Sequence, residues 1–363
     1  MRFLHTGDWQ MGMRARHLGG GGARIREERF AAAERVVGAA RETGAEFLLV
    51  AGGLFEHPGV DRGMVQRVAD LLDRAPCPVF VLPGNHDPLG PGSVWEHPSW
   101  GRCARVRVLR EEAPVPLPRG TLYPCPCRSR WSSQDPTWWI PSEGGAGFRV
   151  GLAHGTVEGL PSEEPDRPIP RDGARRLGLD YLALGHFHSV EVYPDPDGAV
   201  RQAYSGTHEA TRFGERDSGN VLLVILEAGV PPRVEPVRTG GFRWLDWERE
   251  LAHPGDLEAL VREVESLREP GATVLGLTLR GLLGPEEEPE VQRLEQLLES
   301  RFPAARLDRE ELGGDPGNPE WVEELPPGVL RETARILGEQ GEDPEAASAA
   351  LRDLYVLWRE VGR

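Results

Sequence analysis

Side chains that bind divalent metal ions recur at the ends of short apolar runs in this chain. They are one aspartate, one asparagine and three histidines: Asp8, Asn85, His154, His186 and His188. Carboxylate oxygen, amide oxygen and imidazole nitrogen together suit borderline-hard ions such as Mn²⁺. Two such ions about 3.5–4 Å apart can activate a water molecule and hold both oxygens of an in-line phosphoryl displacement. The pattern therefore predicts a two-metal site that hydrolyses phosphoesters.

The turn Gly84-Asn85-His86-Asp87 adds a candidate for proton transfer. His86 directly follows the candidate ligand Asn85, which places its imidazole beside the metal ions. An imidazole in that position could protonate the leaving oxygen. We therefore assign the catalytic role to His86, with Asp87 beside it.

The elements that must position these side chains follow an α/β pattern. Strands are predicted over 2–7, 47–51 and 78–82, and helices over 23–42 and 60–72 separate them. The run at 47–51 is nearly all apolar, as expected of a strand that is covered on both faces. Further strand-like runs continue to residue 226, so we expect two strand-rich halves that form a β-sandwich flanked by helices. The candidate ligands lie at strand ends, where sites form in open α/β sheets.

The composition indicates a globular protein. Hydrophobic residues make up 39% of the 363 residues and charged residues 28%, which leaves room for two or three domains with a sizeable core. No apolar run approaches the roughly 20 residues that a membrane span needs. The N-terminus has no cleavable signal pattern. We therefore expect a cytoplasmic protein that has no membrane contact.

The net charge of −16 is unevenly distributed along the chain. Residues 241–363 carry a net charge of −14, which leaves −2 for residues 1–240. An acidic surface repels phosphates, so we expect nucleic acid to avoid the second segment. The first segment is close to neutral and can carry a local basic groove.

The sequence changes character near residue 240. A β-α-β-α pattern predicts a small α+β domain over 241–309, and a linker rich in Gly, Pro and acidic residues is expected over 310–327. Two helices are predicted over 328–363. Leu351, Leu354 and Trp358 share one face of the last helix, which either packs within the chain or docks onto a partner.

Five ordered motifs over residues 1 to about 225 resemble those of the calcineurin-like metallophosphoesterases. They are Leu4–Gln10, Val50–Glu56, Leu82–Asp87, Ala153–Gly155 and Leu184–His188. More narrowly, the sequence resembles the DNA double-strand-break nuclease branch typified by the bacterial SbcD exonuclease, and the later motifs Tyr204–Thr207 and Arg212–Glu215 also fit. The resemblance implies a four-layer metallophosphoesterase β-sandwich over 1–240, a capping domain over 241–309, manganese as cofactor and DNA as substrate.

The resemblance also implies a role for each ligand position. One ion would be held by Asp8, Gln10 and His188, and a second by Asn85, His154 and His186; His86 would be the general acid. Two positions depart from the family pattern. Gln10 stands where the family usually has histidine, and Gly53 stands where it has the aspartate that bridges both ions. We therefore expect at most one tightly bound ion and low nuclease activity, with Glu56 outside the direct ligand set.

The same resemblance implies an SMC-like coiled-coil ATPase of the SbcC type as partner, docked on the C-terminal helices, and it allows a homodimer. Arginines after the first motif either contact DNA phosphates or lie on a solvated helix face: Arg14, Arg16, Arg24, Arg26 and Arg29. The tryptophans at 131, 138 and 139 either stack on bases or, as we expect, pack under a loop. Two other functions stay open: a non-catalytic adaptor between DNA and the ATPase, and a small-nucleotide phosphodiesterase.

Overall fold

The computed structural model describes residues 1–145, 147–160, 165–253, 255–283, 287–314, 319–340 and 344–361. The chain divides into two compact units. The first unit contains residues 1–17 and 22–242, and the second contains residues 18–21 and 243–363.

In chain order, the strands described in the first unit are β1 (Arg2–Thr6), β2 (Leu48–Val50), β3 (Val79–Val81), β4 (Val106–Val108), β5 (Val115–Leu117), β6 (Gly120–Pro124), β7 (Phe148–His154), β8 (Tyr181–Gly185), β9 (Val190–Pro194), β10 (Val200–Ser205), β11 (Asn220–Glu227) and β12 (Val230–Arg238). They form two six-stranded sheets, with the orders β12-β11-β1-β2-β3-β4 and β5-β6-β7-β8-β10-β9. The α-helices are α1 (Gly22–Glu42), α2 (Arg62–Asp73) and the short α3 (Gly173–Arg176).

The two sheets pack face to face, and helices cover their outer faces. The core between the sheets contains Leu49 of β2 together with Leu122 of β6 and Val150 of β7. A second cluster joins the outer face of the first sheet to α1 and α2, and a third lies beside α3 on the second sheet. This helix–sheet–sheet–helix layering confirms the predicted α/β sandwich flanked by helices.

Parallel pairing brings the predicted site loops to one edge of each sheet. β1 to β4 run parallel in the first sheet, and β6, β7, β8 and β10 run parallel in the second. The loops after β1, β2 and β3 therefore gather at the carboxyl edge of the first sheet. Those after β7 and β8 gather at the carboxyl edge of the second, which is where ligands bind in such sheets.

The second unit alternates strands and helices: β13 (Arg243–Leu251), α4 (Asp256–Glu265), β14 (Thr273–Leu283), α5 (Glu288–Arg301) and β15 (Ala304–Gly314). The described strands form a parallel sheet in the order β13-β14-β15. β15 extends into the segment expected as a linker over 310–327, because an edge strand with one exposed face tolerates the charges of this run. Pro319–Glu324 is a 3-10 turn, and residues 315–318 of that segment lie outside the described residues.

Two helices follow, α6 (Val329–Gln340) and α7 (Pro344–Val361). The predicted apolar face of α7 packs within the unit, where Trp358 stacks on Trp321 with ring centroids 6.0 Å apart. Leu351, Leu354 and Tyr355 join the same cluster. None of the helices in the described ranges is long and apolar enough to cross a membrane.

Candidate metal centre

The loops after β1 and β2 pair through their backbones and fix the first predicted ligands. The N–H of Asp8 donates to the carbonyl of Gly52 at 2.9 Å, and that of Gln10 donates to the carbonyl of Gly53 at 2.9 Å. Asp8 and Gln10 have positive φ angles of 52° and 48°. Residues with a Cβ seldom adopt such angles, and they cluster at functional sites where surrounding contacts enforce them.

His154, Asn85 and His186 form one half of the site, called here the histidine half. The carbonyl of Ala51 lies 2.8 Å from Nδ1 of the buried His154 and can only accept, so Nδ1 donates. Burial lowers the pKa of His154 well below its ordinary value, so the ring is neutral and Nε2 carries a lone pair. That nitrogen lies 2.8 Å from Oδ1 of Asn85.

Two lone pairs facing each other at this distance repel unless a proton or a cation lies against both. Turning the amide of Asn85 over would place Nδ2 there as a donor. The arrangement as it stands suits one divalent ion, because neighbouring ligands of an ion, each at about 2.1 Å, lie about 3 Å apart. The donor pair of His154 and Asn85 therefore fits a metal ion.

His186 completes the histidine half. Its ring centroid lies 5.3 Å from that of His154, and its backbone N–H donates to Oδ2 of Asp8 at 2.8 Å. Burial lowers the pKa of His186 to about 4, although the nearby charge of Asp166 acts in the opposite direction. At neutral pH this half thus offers two neutral imidazoles and an amide oxygen.

Asp8, Gln10 and His188 form the other half, called here the aspartate half. Burial raises the pKa of Asp8 to about 6, against the charge of His188 and the amide of His186. Nδ1 of His188 lies 3.0 Å from Oε1 of Glu215. Burial would lower the pKa of His188, but the hydrogen bond with Glu215 and the charge of Asp8 raise it above its ordinary value. The contact with Glu215 and the charge of Asp8 therefore both favour the protonated form of His188.

Gly53 supplies no side chain to the aspartate half. A Cβ at this position would lie 2.5 Å from Oδ1 of Asp8 and 3.3 Å from Nε2 of Gln10, so a side chain there would contact both residues and Asp8 would have to shift. Both amide atoms of Gln10 are buried and lack a hydrogen-bond partner among the described residues. The aspartate half as it stands does not fit a second ion.

The described residues contain no group of three or more His, Cys, Asp or Glu side chains in a geometry that holds a metal ion. The histidine half supplies two such side chains, and its third donor is the amide of Asn85. A carboxylate at position 53 would have been a third side chain of these types. The two ligand sets expected from the resemblance stay predictions.

His86 and Asp87 have different surroundings. His86 is exposed, and its Nδ1 donates to the backbone carbonyl of Glu56 at 2.9 Å. Asp87 is fully buried, and its two oxygens accept the N–H groups of Gly84 at 2.7 Å and Phe55 at 2.9 Å. Because both oxygens are occupied, Asp87 holds the loops after β2 and β3 together. The catalytic role expected for it beside His86 stays a prediction.

The contacts that orient the ligands differ in how far the sequence could predict them. The contact with the carbonyl of Ala51 could not be predicted, because every residue has a backbone carbonyl. Glu215 and Tyr204 belong to motifs that the resemblance singled out, yet their contacts were not assigned. The hydroxyl of Tyr204 donates to the carbonyl of Gly155 at 2.6 Å, directly after His154.

The arginines after the first motif do not act as one group. Arg14 is exposed, and the side chain of Arg16 lies outside the described part of the structure. Arg29 is buried, and both of its terminal nitrogens donate to the carbonyl of Glu209, at 2.9 and 2.8 Å. Neither interpretation offered for Arg29, phosphate contact or solvated face, is therefore correct, because a buried guanidinium must find its acceptors inside the protein.

A sequence profile described as calcineurin-like phosphoesterase matches residues 1–190, which include every proposed metal ligand. The chain belongs to the calcineurin-like phosphoesterase family. Membership implies metal-dependent hydrolysis of phosphoesters and the use of divalent metal ions. The histidine half is the part of the site that fits such an ion.

Relatives of this calcineurin-like phosphoesterase include the uncharacterized metallophosphoesterase YhaO of Bacillus subtilis strain 168. The two are 25% identical over 339 residues, which cover 89% of this chain and 72% of YhaO. Among solved structures, TT1561 of Thermus thermophilus is 14% identical to this chain. The match covers 66% of this chain and 98% of TT1561, with a TM-score of 0.43. The structure of Vps29 from Entamoeba histolytica, complexed with zinc, is 15% identical. That match covers 66% of this chain and 99% of Vps29, with a TM-score of 0.32.

Proposed function

We propose that this protein is a metal-dependent nuclease subunit that hydrolyses phosphodiester bonds of DNA, with low turnover in its present form. The histidine half carries the proposal, because the donor atoms of His154 and Asn85 lie 2.8 Å apart in a geometry that suits a divalent ion. The choice of DNA is supported by the ordered motifs over residues 1 to about 225, which resemble those of the SbcD-type nucleases.

Each residue of the histidine half has a defined task in this proposal. Asn85, His154 and His186 would hold the ion, and Mn²⁺ suits this mixed set of nitrogen and oxygen donors. The ion supplies Lewis acidity toward a phosphate oxygen and activates water. The carbonyl of Glu56 fixes Nδ1 of His86, so a proton on Nε2 is the one available to the leaving oxygen.

The low turnover follows from Gly53. Two ions would stabilise both the attacking and the leaving oxygen during hydrolysis. With a single ion, one of these oxygens would lack that stabilisation. His86 then remains the main group that can stabilise the leaving oxygen.

We propose a cytoplasmic SMC-like ATPase of the SbcC type as partner. The acidic second segment supports a contact with protein and not with DNA. Leu351, Leu354 and Trp358 are engaged within the second unit. The docking surface would therefore use apolar side chains that remain exposed, including Ile336 and Leu357.

A second candidate is a DNA and ATPase adaptor without turnover. Gly53 favours it, because it leaves the aspartate half without a bridging carboxylate. The adaptor keeps the fold and the surfaces of a nuclease.

Manganese-dependent cleavage of end-labelled duplex DNA tests these proposals. We expect weak cleavage by the natural chain, an increase of about 100-fold or more in Gly53→Asp, and loss of that gain in Gly53→Asp/His86→Ala. If Gly53→Asp binds two ions and still cleaves no DNA, the nuclease proposal fails and the adaptor gains. Hydrolysis of a chromogenic phosphodiester with intact DNA would instead indicate a small-nucleotide phosphodiesterase.

A further inference from the structure

The loop between β6 and β7 exposes two tryptophans. Trp131 and Trp138 have 52% and 71% of their surface in solvent. Packing under the loop, expected from the sequence, is therefore wrong for both. Trp139 does pack, with its ring 6.0 Å from that of Tyr123. Large exposed aromatic rings on a folded surface commonly mark a binding site.

Hydrogen bonds order the backbone that carries Trp138. Oδ1 of Asp135 accepts from the N–H and the hydroxyl of Thr137, at 2.8 and 2.7 Å. The N–H of Ile140 donates to the carbonyl of Thr137 at 3.0 Å, and Ile140 is buried in the core cluster of the second sheet. Trp138 thus stands on a fixed turn, so little entropy is lost when a ligand contacts its ring.

A buried ion pair connects the backbone around Trp131 to the metal centre. The N–H of Ser132 donates to Oδ1 of Asp166 at 2.9 Å, and Arg167 donates to the carbonyl of Ser129 at 2.6 Å. Asp166 and Arg167 pair at 2.7 Å and lie close enough to His186 to influence its pKa. The N–H of Thr156, two residues after the ligand His154, donates to the carbonyl of Asp166 at 2.8 Å.

Two arginines lie close to Trp131 in the sequence. The run Arg128–Gln134 contains two arginines and no acidic residue, in a chain whose net charge is −16. Arg128 is exposed and donates to the backbone carbonyl of Arg110 at 3.0 Å, a neutral acceptor that leaves its charge unbalanced. Arg130 is also exposed, and it forms no hydrogen bond or ion pair among the described residues. Two exposed arginines that are close in sequence to an exposed ring complement a strand that carries both phosphates and bases.

We propose that Trp131 and Trp138 stack on unpaired bases of a single-stranded DNA segment whose phosphates contact Arg128 and Arg130. This inference rests on the proposed function for the choice of DNA and adds the strand state of the substrate. Aromatic side chains beside basic groups bind single strands in a sequence-tolerant way, because every base has a flat face. The neighbours of Trp131 are polar, which suits base stacking better than the contiguous apolar centre of a protein interface.

Binding without turnover tests the proposal. We would titrate the full chain into fluorescein-labelled oligothymidylate in EDTA and follow anisotropy. Replacing both tryptophans with alanine, Trp131→Ala/Trp138→Ala, is expected to weaken binding by about tenfold for each ring. The Phe double variant should keep most of the affinity, and Val192→Ala, at an exposed apolar residue elsewhere, should keep all of it.

An abasic strand of equal length separates stacking from charge. The natural chain should bind it more weakly than oligothymidylate, whereas the Ala double variant should bind both alike. Arg128→Ala/Arg130→Ala should reduce the salt dependence, by about 0.7 in log–log slope for each phosphate that is no longer bound. Unchanged affinity in the Ala double variant, or equal affinity of the natural chain for the two strands, would overturn the proposal. Because no metal is present, a failure of DNA cleavage leaves this result unaffected.

Discussion

The two halves of the metal centre lie side by side, yet they are in different chemical states. In the histidine half, burial keeps His154 and His186 neutral, and Nε2 of His154 faces Oδ1 of Asn85. In the aspartate half, the raised pKa of His188 and the charge of Asp8 support each other. In one half the imidazoles are neutral and offer lone pairs to an ion, and in the other the surroundings favour the protonated form of His188.

In the proposed function, this difference follows from the carboxylate that Gly53 does not supply. The histidine half is oriented by the backbone carbonyl of Ala51, which a substitution at Gly53 does not remove. The aspartate half receives no side chain from position 53. In the proposed function, an ion there would have Asp8 as its anionic ligand and would compete with a proton on His188, which lowers its affinity.

Removing a ligand from the histidine half should have the largest effect. We expect Asn85→Ala to weaken Mn²⁺ binding by about 100-fold or more, because it removes an oxygen donor from the ion. Isothermal titration calorimetry measures this directly. Gln10→Ala, at the matching amide of the aspartate half, should leave the affinity unchanged. Equal losses of Mn²⁺ affinity in the two variants would mean that both halves bind the ion, contrary to the difference proposed between them.

Gly53→Asp should remove the difference between the halves. We expect the number of bound Mn²⁺ ions to rise from one to two in calorimetry, because the new carboxylate would lie beside Asp8 and Gln10. Without metal, the variant should lose about 1–3 kcal/mol of stability, since φ is +62° at this position and a Cβ there crowds Oδ1 of Asp8.

Gly53→Asn is the matched control for that variant. It fills the same space and tolerates the same backbone angle, but it carries no charge. We expect it to be destabilised to a similar degree in EDTA and to bind only one ion. Two ions in Gly53→Asn would show that space and not charge limits the aspartate half.

The pH dependence of metal binding separates the halves without a substitution. Protons compete with metal ions for the same lone pairs. If the histidine half alone holds the ion, affinity should stay flat down to about pH 5 and fall as His186 takes up a proton near its pKa of about 4. In Gly53→Asp, the second ion should weaken at higher pH, first as protons compete for His188, whose pKa is raised above its ordinary value, and further as the pH falls through about 6, the pKa of Asp8. Calorimetry across this range should therefore resolve two separate losses, and a fall near pH 6 in the natural chain would assign its ion to Asp8.

The position of the site was predictable from the sequence. Apolar runs mark the parallel strands, and polar residues that follow them must meet at one edge, which placed Asn85 and His154 together. The charge state of each half was not predictable. It depends on burial and on contacts such as Glu215 with His188, which the sequence separates by 27 residues.

Edge strands were the part of the fold that the sequence concealed. β12 contains Pro231, Pro232 and Pro236, which argue against a strand, but it lies at the edge of its sheet, where a missing N–H costs little. β15 carries charges on its exposed side and was assigned partly to a linker. In both cases the residue types indicate how buried a segment is. They indicate less directly whether its backbone forms the hydrogen bonds of a strand.

The smallest expected effect concerns Glu215→Gln, which should change the aspartate half alone. The pKa of His188 should fall, because its charged partner is lost; NMR titration of the ring would follow it. A raised pKa stabilises the folded state most below the ordinary pKa of histidine, and this contribution disappears as the pH rises through the folded value. Thermal unfolding should therefore show a loss of about 1 kcal/mol at pH 6 and a smaller loss at pH 8. The Mn²⁺ affinity of the histidine half should not change. A clear decrease in that affinity would mean that the two halves form one coupled site.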